Sequence, residues 1–118
     1  MSKVQKFEIW IADMNPGKGS EPGKVRPVVI IQSNILNKLE HVSTIVCPIS
    51  SQIKDISLLR IPVEPSKVNG LNKPSSILTD QIKAVDLSRL LEKVGVLEEN
   101  YRSDVQQTLA LILDFDLK

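Results

Sequence analysis

Apolar positions come in short bursts over the first two thirds of the chain, and each burst is closed by glycine, proline or a polar cluster. "FEIWIADM" (7–14) alternates well enough for a strand, whereas the ten residues of "NPGKGSEPGK" (15–24) hold three glycines and two prolines and must form a loop. "VRPVVIIQS" (25–33) is rich in β-branched residues that suit a buried, pleated surface. "NILNKL" follows with an Asn cap and the spacing of a short helix, and "HVSTIVCPI" (41–49) predicts a third strand. Beyond the polar loop "SSQIKDI", the run "SLLRIPV" (57–63) carries Pro62, which suits an edge strand or a strand end.

"SSILTDQIKAVD" reads as one or two further strands, and "LSRLLEK" as a helical turn ahead of the short strand "KVGVL". The tail differs in period. In residues 98–115, Tyr101, Val105, Leu109, Ile112 and Phe115 recur at three and four spacing, the mark of an amphipathic helix whose acidic first turn suits the helix dipole. Short strands between Gly and Pro turns, closed by one helix, predict a mainly β fold: a small antiparallel barrel or half-open sheet with a C-terminal helix and short additional helices. Side chains fill a barrel of this size, so function is expected on its loops or on a face shared with a second subunit.

Composition narrows the picture. A chain of 118 residues, 42% hydrophobic and 25% charged, is the size of one globular domain, expected to span 1–118. The longest apolar runs are far below the ~20 residues that cross a bilayer, and the N-terminus lacks the apolar core of a secretion signal, so a soluble cytoplasmic protein with no membrane partner is expected. The single cysteine, Cys47, excludes an internal disulfide and is read as a buried small hydrophobe. With 15 Lys and Arg against 14 Asp and Glu, any nucleic-acid site must be local, and 3% aromatic content argues against a base-stacking sheet.

Candidate chemistry is sparse. The sequence has no Cys or His pair with metal spacing, no phosphate-cradling glycine motif and no nucleophile elbow, so neither a metal nor a cofactor is expected; His41 is read as a surface residue. What stands out is Arg26, a permanent cation at the mouth of a core strand, beside Pro27, which fixes its own φ and holds its predecessor extended. If the second and third strands are antiparallel neighbours, Arg26 approaches Ser50, Ser51 and Gln52. The glycine loop adds Ser20 and Glu21. A guanidinium fork, hydroxyls, an amide and glycine N–H groups suit a phosphodiester. The alternative is a rim ion pair between Arg26 and Glu21, with the serines capping turns.

"IWIADMNPGKGSEPGKVRPVVIIQ", followed by "CPISSQIK" and "SSILTDQIKAVD", resembles the MazF/PemK family of toxin endoribonucleases, and the likeness extends to the "LALILDF" tail. The resemblance implies an SH3-like barrel, a homodimer, and metal-independent cleavage of single-stranded RNA, chiefly mRNA, to 2′,3′-cyclic phosphate and 5′-hydroxyl ends. It also implies a cognate antitoxin whose acidic, disordered segment covers the RNA groove. The family's catalytic arginine falls on Arg26 and its hydroxyl partner on Ser50, where most members carry Thr. Ser50 keeps the hydroxyl but loses the methyl that stiffens χ1.

Ser20, Glu21, Ser51, Gln52, Asp80 and Gln81 are further RNA-binding candidates. Gln52 and Gln81 carry amides able to read bases, and Glu21 either accepts the 2′-OH proton, contacts a base edge or pairs with a cation. Lys18, Lys24 and Lys54 supply local positive charge, against a default of solvated surface lysines. Two other readings share the architecture: a toxin of the CcdB kind that targets gyrase through its C-terminal helix, and a toxin that binds its antitoxin without cutting. Chelator-resistant RNA cleavage that depends on Arg26 separates the first reading from both.

Overall fold

The computed structural model describes residues 3–15, 24–39, 41–52 and 59–116. Among the described residues, seven strands and two α-helices follow in the order β1 (Glu8–Asp13), β2 (Val25–Ile30), α1 (Asn34–Lys38), β3 (Ser43–Ser50), β4 (Arg60–Val63), β5 (Ser75–Leu78), β6 (Lys83–Asp86), β7 (Leu90–Val96) and α2 (Glu99–Leu113). All pairings are antiparallel, in the spatial order β4-β5-β3-β2-β1-β7, with β6 also on β3. The mainly β architecture expected from the sequence is therefore present, as the half-open form. β4 is an edge, as Pro62 indicated. No described helix is long and apolar enough to cross a membrane.

"SSILTDQIKAVD" forms two strands along one side of β3, split by a 3-10 turn, Thr79–Gln81. The turn predicted in "LSRLLEK" ends sooner than its spacing suggested. It covers Leu87–Arg89, with Asp86 accepting a hydrogen bond from the Ser88 N–H at 2.9 Å, and β7 already begins at Leu90.

The sheet is coated on both faces, which explains why β2 reads as an unbroken apolar run rather than an alternating one. Val29, Cys47, Ile49 and Ile77 pack with Phe7 and Leu97 beneath Val105 and Leu109 of α2. Val28, Ile30 and Val46 face the other way, into a second cluster with Ala12, Met14, Val85 and Leu90. Cys47 is buried as expected, and burial, then the charge of Asp80, pushes its thiol up to about 12, so it is chemically quiet. Of the predicted helical stripe, Val105 and Leu109 are buried, but Phe115 is 68% exposed. Asp114 adopts a left-handed φ of 59° and ends the helix, with the Phe115 N–H returning to the Ala110 carbonyl at 2.8 Å, so Phe115 leaves the periodic face.

Candidate active site

The central ladder of the sheet stops short. β2 pairs with β3 only through Val28–Pro48, Val29–Cys47 and Ile30–Val46. Pro27 and Pro48 carry no backbone N–H, so the ladder lacks donors at this end. Beyond it each strand is held from its outer side: Val25, Arg26 and Pro27 by Asp13, Ala12 and Ile11 of β1, and Ile49 and Ser50 by Ile77 and Ser76 of β5. The result is a gap between two firmly paired strand ends. It forms a hollow of ≈ 230 Å³ whose walls are Lys24 to Pro27 on one side and Ile49 to Gln52 on the other.

Arg26 and Ser50 share this hollow, both half-buried. The antiparallel register continued from Val28–Pro48 sets them opposite each other, on the face that carries Val28 and Val46. Partial burial draws the Arg26 guanidinium below its usual pKa, since desolvation penalises its charge. The Gln52 N–H donates to Ser50 Oγ at 3.1 Å, which occupies an acceptor lone pair and leaves the hydroxyl proton as a donor. Ser51, Gln52 and Lys24 are exposed on the rim. The juxtaposition expected from the sequence is thus present on every described residue of the two stretches.

Lys24 takes a left-handed φ of 68°, uncommon for a residue with a side chain. Its N–H donates to Asn15 Oδ1 at 2.6 Å, and its carbonyl accepts from Met14 N–H at 2.8 Å. Arg89 Nη1 in turn donates to the carbonyls of Asp13 at 3.0 Å and Asn15 at 2.6 Å. Asn15 and Arg89 therefore brace the root of the glycine loop beside Arg26. Neither was singled out from sequence. Asn15 is legible in hindsight as a turn former, but nothing local marks Arg89, which lies 74 residues from Asn15.

Asp80 and Gln81 sit elsewhere among the described residues. They belong to the 3-10 turn between β5 and β6, where Asp80 is salt-bridged to Arg60 at 3.4 Å and does not line the hollow. Lys18, Ser20, Glu21 and Lys54 lie outside the described residues. His41 is exposed, as read. The described residues contain no cluster of His, Cys, Asp and Glu able to hold a metal.

A family model described as PemK-like, MazF-like toxin of type II toxin-antitoxin system matches residues 5–113. The chain belongs to this toxin family. Endoribonuclease EndoA of Bacillus subtilis (strain 168) is 34% identical over 110 residues, covering 93% of this toxin and 94% of EndoA. MazF from Deinococcus radiodurans superposes with a TM-score of 0.79 at 20% identity, over 94% of this chain and 96% of that one. A mycobacterial endoribonuclease solved with its cognate antitoxin gives 0.78 at 14% identity, over 98% and 99%. These two structures establish the likeness of fold.

Proposed function

We propose that this toxin is an endoribonuclease that cuts single-stranded RNA, chiefly mRNA, at a short recognised sequence in the cytoplasm, acts as a homodimer, and is neutralised by a cognate antitoxin. The observation that carries the reading is the convergence of Arg26 and Ser50 on one solvent-open hollow, rimmed by Lys24, Ser51 and Gln52. The endoribonuclease relative EndoA, alike along nearly its whole length, supports it.

RNA supplies its own nucleophile. The 2′-oxygen bonds to phosphorus as it loses its proton, the bond from phosphorus to the 5′-oxygen breaks, and that oxygen leaves protonated. The products are a 2′,3′-cyclic phosphate and a 5′-hydroxyl. The protein's task is to align the three atoms and to stabilise charge on the non-bridging oxygens. Arg26 does so with its planar fork, aimed by an extended backbone before Pro27. Ser50 donates its hydroxyl proton to the same oxygens. The lowered pKa of Arg26 points in the direction a proton relay needs, but its charge is the larger asset, because a guanidinium is a weak base at neutral pH. Glu21, Asp80 and Gln81 remain RNA-binding candidates in this reading, alongside Lys18, Ser20 and Lys54.

The test is cleavage of a mixed-sequence RNA by purified protein in excess chelator. The expected result is discrete cuts with 5′-hydroxyl ends, a loss of about 100-fold or more in kcat for Arg26→Ala, and no cutting where the nucleotide 5′ of the site is 2′-deoxy. Scission of the deoxy substrate overturns internal attack, and wild-type cleavage by Arg26→Ala overturns the site.

A further inference from the structure

The hollow at Arg26 does not end at Pro27. A second hollow of ≈ 210 Å³ shares Pro27, Ile49 and Ser51 with it and continues to Leu71, Asn72 and Lys73. A third, of ≈ 450 Å³, shares Leu71 and Asn72 with the second and reaches Ser66 and Lys67. The three form one track from the β2–β3 gap to the connection between β4 and β5. Lys24, Arg26, Lys73 and Lys67 line it in that order, and no described Asp or Glu does. In a chain whose charges nearly balance, this is a strip of one sign that leads out of the proposed catalytic hollow.

The far end of the track is a fixed surface. Asn69, fully buried, donates through Nδ2 to the Glu64 carbonyl at 2.9 Å and to Glu98 Oε1 at 3.1 Å, while its Oδ1 accepts from the N–H groups of Ser66 and Leu71, both at 3.0 Å. Ser66 Oγ donates to the other Glu98 oxygen at 3.0 Å, so this carboxylate is committed to the loop's interior. Gly70, at φ +73°, packs so closely on β7 that a Cβ there would lie 2.2 Å from the Val94 carbonyl oxygen. Exposed Lys67, Asn72 and Lys73 are therefore presented on a frame that moves little, which cuts the entropy cost of using them to bind.

We infer that this track is a second binding segment for the RNA strand on one side of the cut. This rests on the proposed nuclease reading. Lys73 and Lys67 would meet successive phosphates, the apolar floor of Pro27, Ile49 and Leu71 would take the face of a base, and the Asn72 amide would meet a base edge. RNA is favoured over an acidic peptide because the track opens directly into the hollow where the phosphodiester is held.

The experiment compares wild type with Lys67→Gln/Lys73→Gln, using non-cleavable RNAs carrying 2′-deoxy at the attacking position: a minimal oligonucleotide and versions extended on the 5′ or the 3′ side. Affinities are read by fluorescence anisotropy across a salt series. One extension is expected to tighten wild-type binding. The double variant should lose most of that gain, with a salt slope shallower by about 1.4, as expected for two single-strand phosphate contacts. Its affinity for the minimal oligonucleotide and its kcat at saturating RNA should be unchanged. Equal binding of the extended RNA by both proteins, with equal slopes, overturns this inference alone. Loss of binding to an acidic peptide with unchanged RNA binding also overturns it and makes the track a protein site. Failure of the wild type to cut any RNA overturns the nuclease reading, and this inference falls with it.

Discussion

Two polar corners of the molecule each hold a serine and a side-chain amide and behave differently. Around Asn69, every hydrogen-bonding group of the side chain is consumed by neighbours, and the residue is closed off from water. Around Arg26 and Ser50 the polar groups line an open gap, and the internal bond to Ser50 uses an acceptor while sparing its donor. A saturated buried network specifies a conformation; a half-exposed set of polar groups at a rigid gap faces solvent, where a ligand can reach it. Serines and side-chain amides occur in both corners; what separates the two is burial, and the carboxylate of one against the cations of the other.

The contrast can be broken from either side. The largest effect is expected from Asn69→Leu, which leaves the Glu98 carboxylate and two backbone N–H groups short of partners. Stability should fall by about 2–4 kcal/mol in chemical denaturation, while kcat per folded molecule at saturating RNA stays at the wild-type value. Ser50→Ala should do the reverse, lowering kcat by about 10–100-fold with little change in melting temperature. Ser50→Thr should keep the wild-type rate, since it retains the hydroxyl on a stiffer χ1. A Ser50→Ala enzyme with unaltered turnover would remove the hydroxyl from the mechanism.

A smaller effect sharpens the comparison at a third place, Glu8, which is 9% exposed. Burial pushes its carboxyl pKa up. Bonds from Trp10 Nε1 at 3.0 Å, Lys93 at 3.0 Å and the Gln5 N–H at 2.9 Å outweigh this, leaving the pKa below its ordinary 4.5. The unfolded chain then binds this proton more readily than the folded one, so the contribution is fully present above the ordinary value and is lost as pH falls through the lower, folded value. Urea denaturation across the acidic range below about pH 6 should show a stability difference between wild type and Glu8→Gln that shrinks on acidification. A pH-independent difference would show that the bonds from Trp10, Lys93 and Gln5 together give the charged carboxylate no net advantage over its burial.

Local pattern was enough for most elements, because turn chemistry and side-chain period are written within a few residues of where they act. The edge character implied by Pro62 and the helix over the tail are both readable in this way; the Gly and Pro cluster before Lys24 lies, but for Asn15 and Lys24, outside the described residues. Phe115 was misplaced on the buried stripe because its position depends on a left-handed residue at Asp114 that periodicity does not encode. The turn in "LSRLLEK" is shorter than its local pattern predicts for a related reason: pairing with β1 claims Leu90, Glu92 and Lys93 for the sheet. Tertiary pairing overrode local preference there.

Arg26 and Ser50 were accessible from sequence because an Arg-Pro pair at a strand mouth and a Ser-rich strand end are both local, and because the order of the motifs is that of a known family. That determination extends to residue identity, to element type and to the two strand ends that meet at the hollow. Only the folded chain decided that the β2–β3 ladder stops at Val28–Pro48 to open a gap, that Arg89 reaches back to brace Asn15, and that Lys73 and Lys67 fall in line with Arg26. Each of these depends on contacts between residues far apart in the chain, which are set by sheet register and packing and leave no signature in any short stretch of sequence.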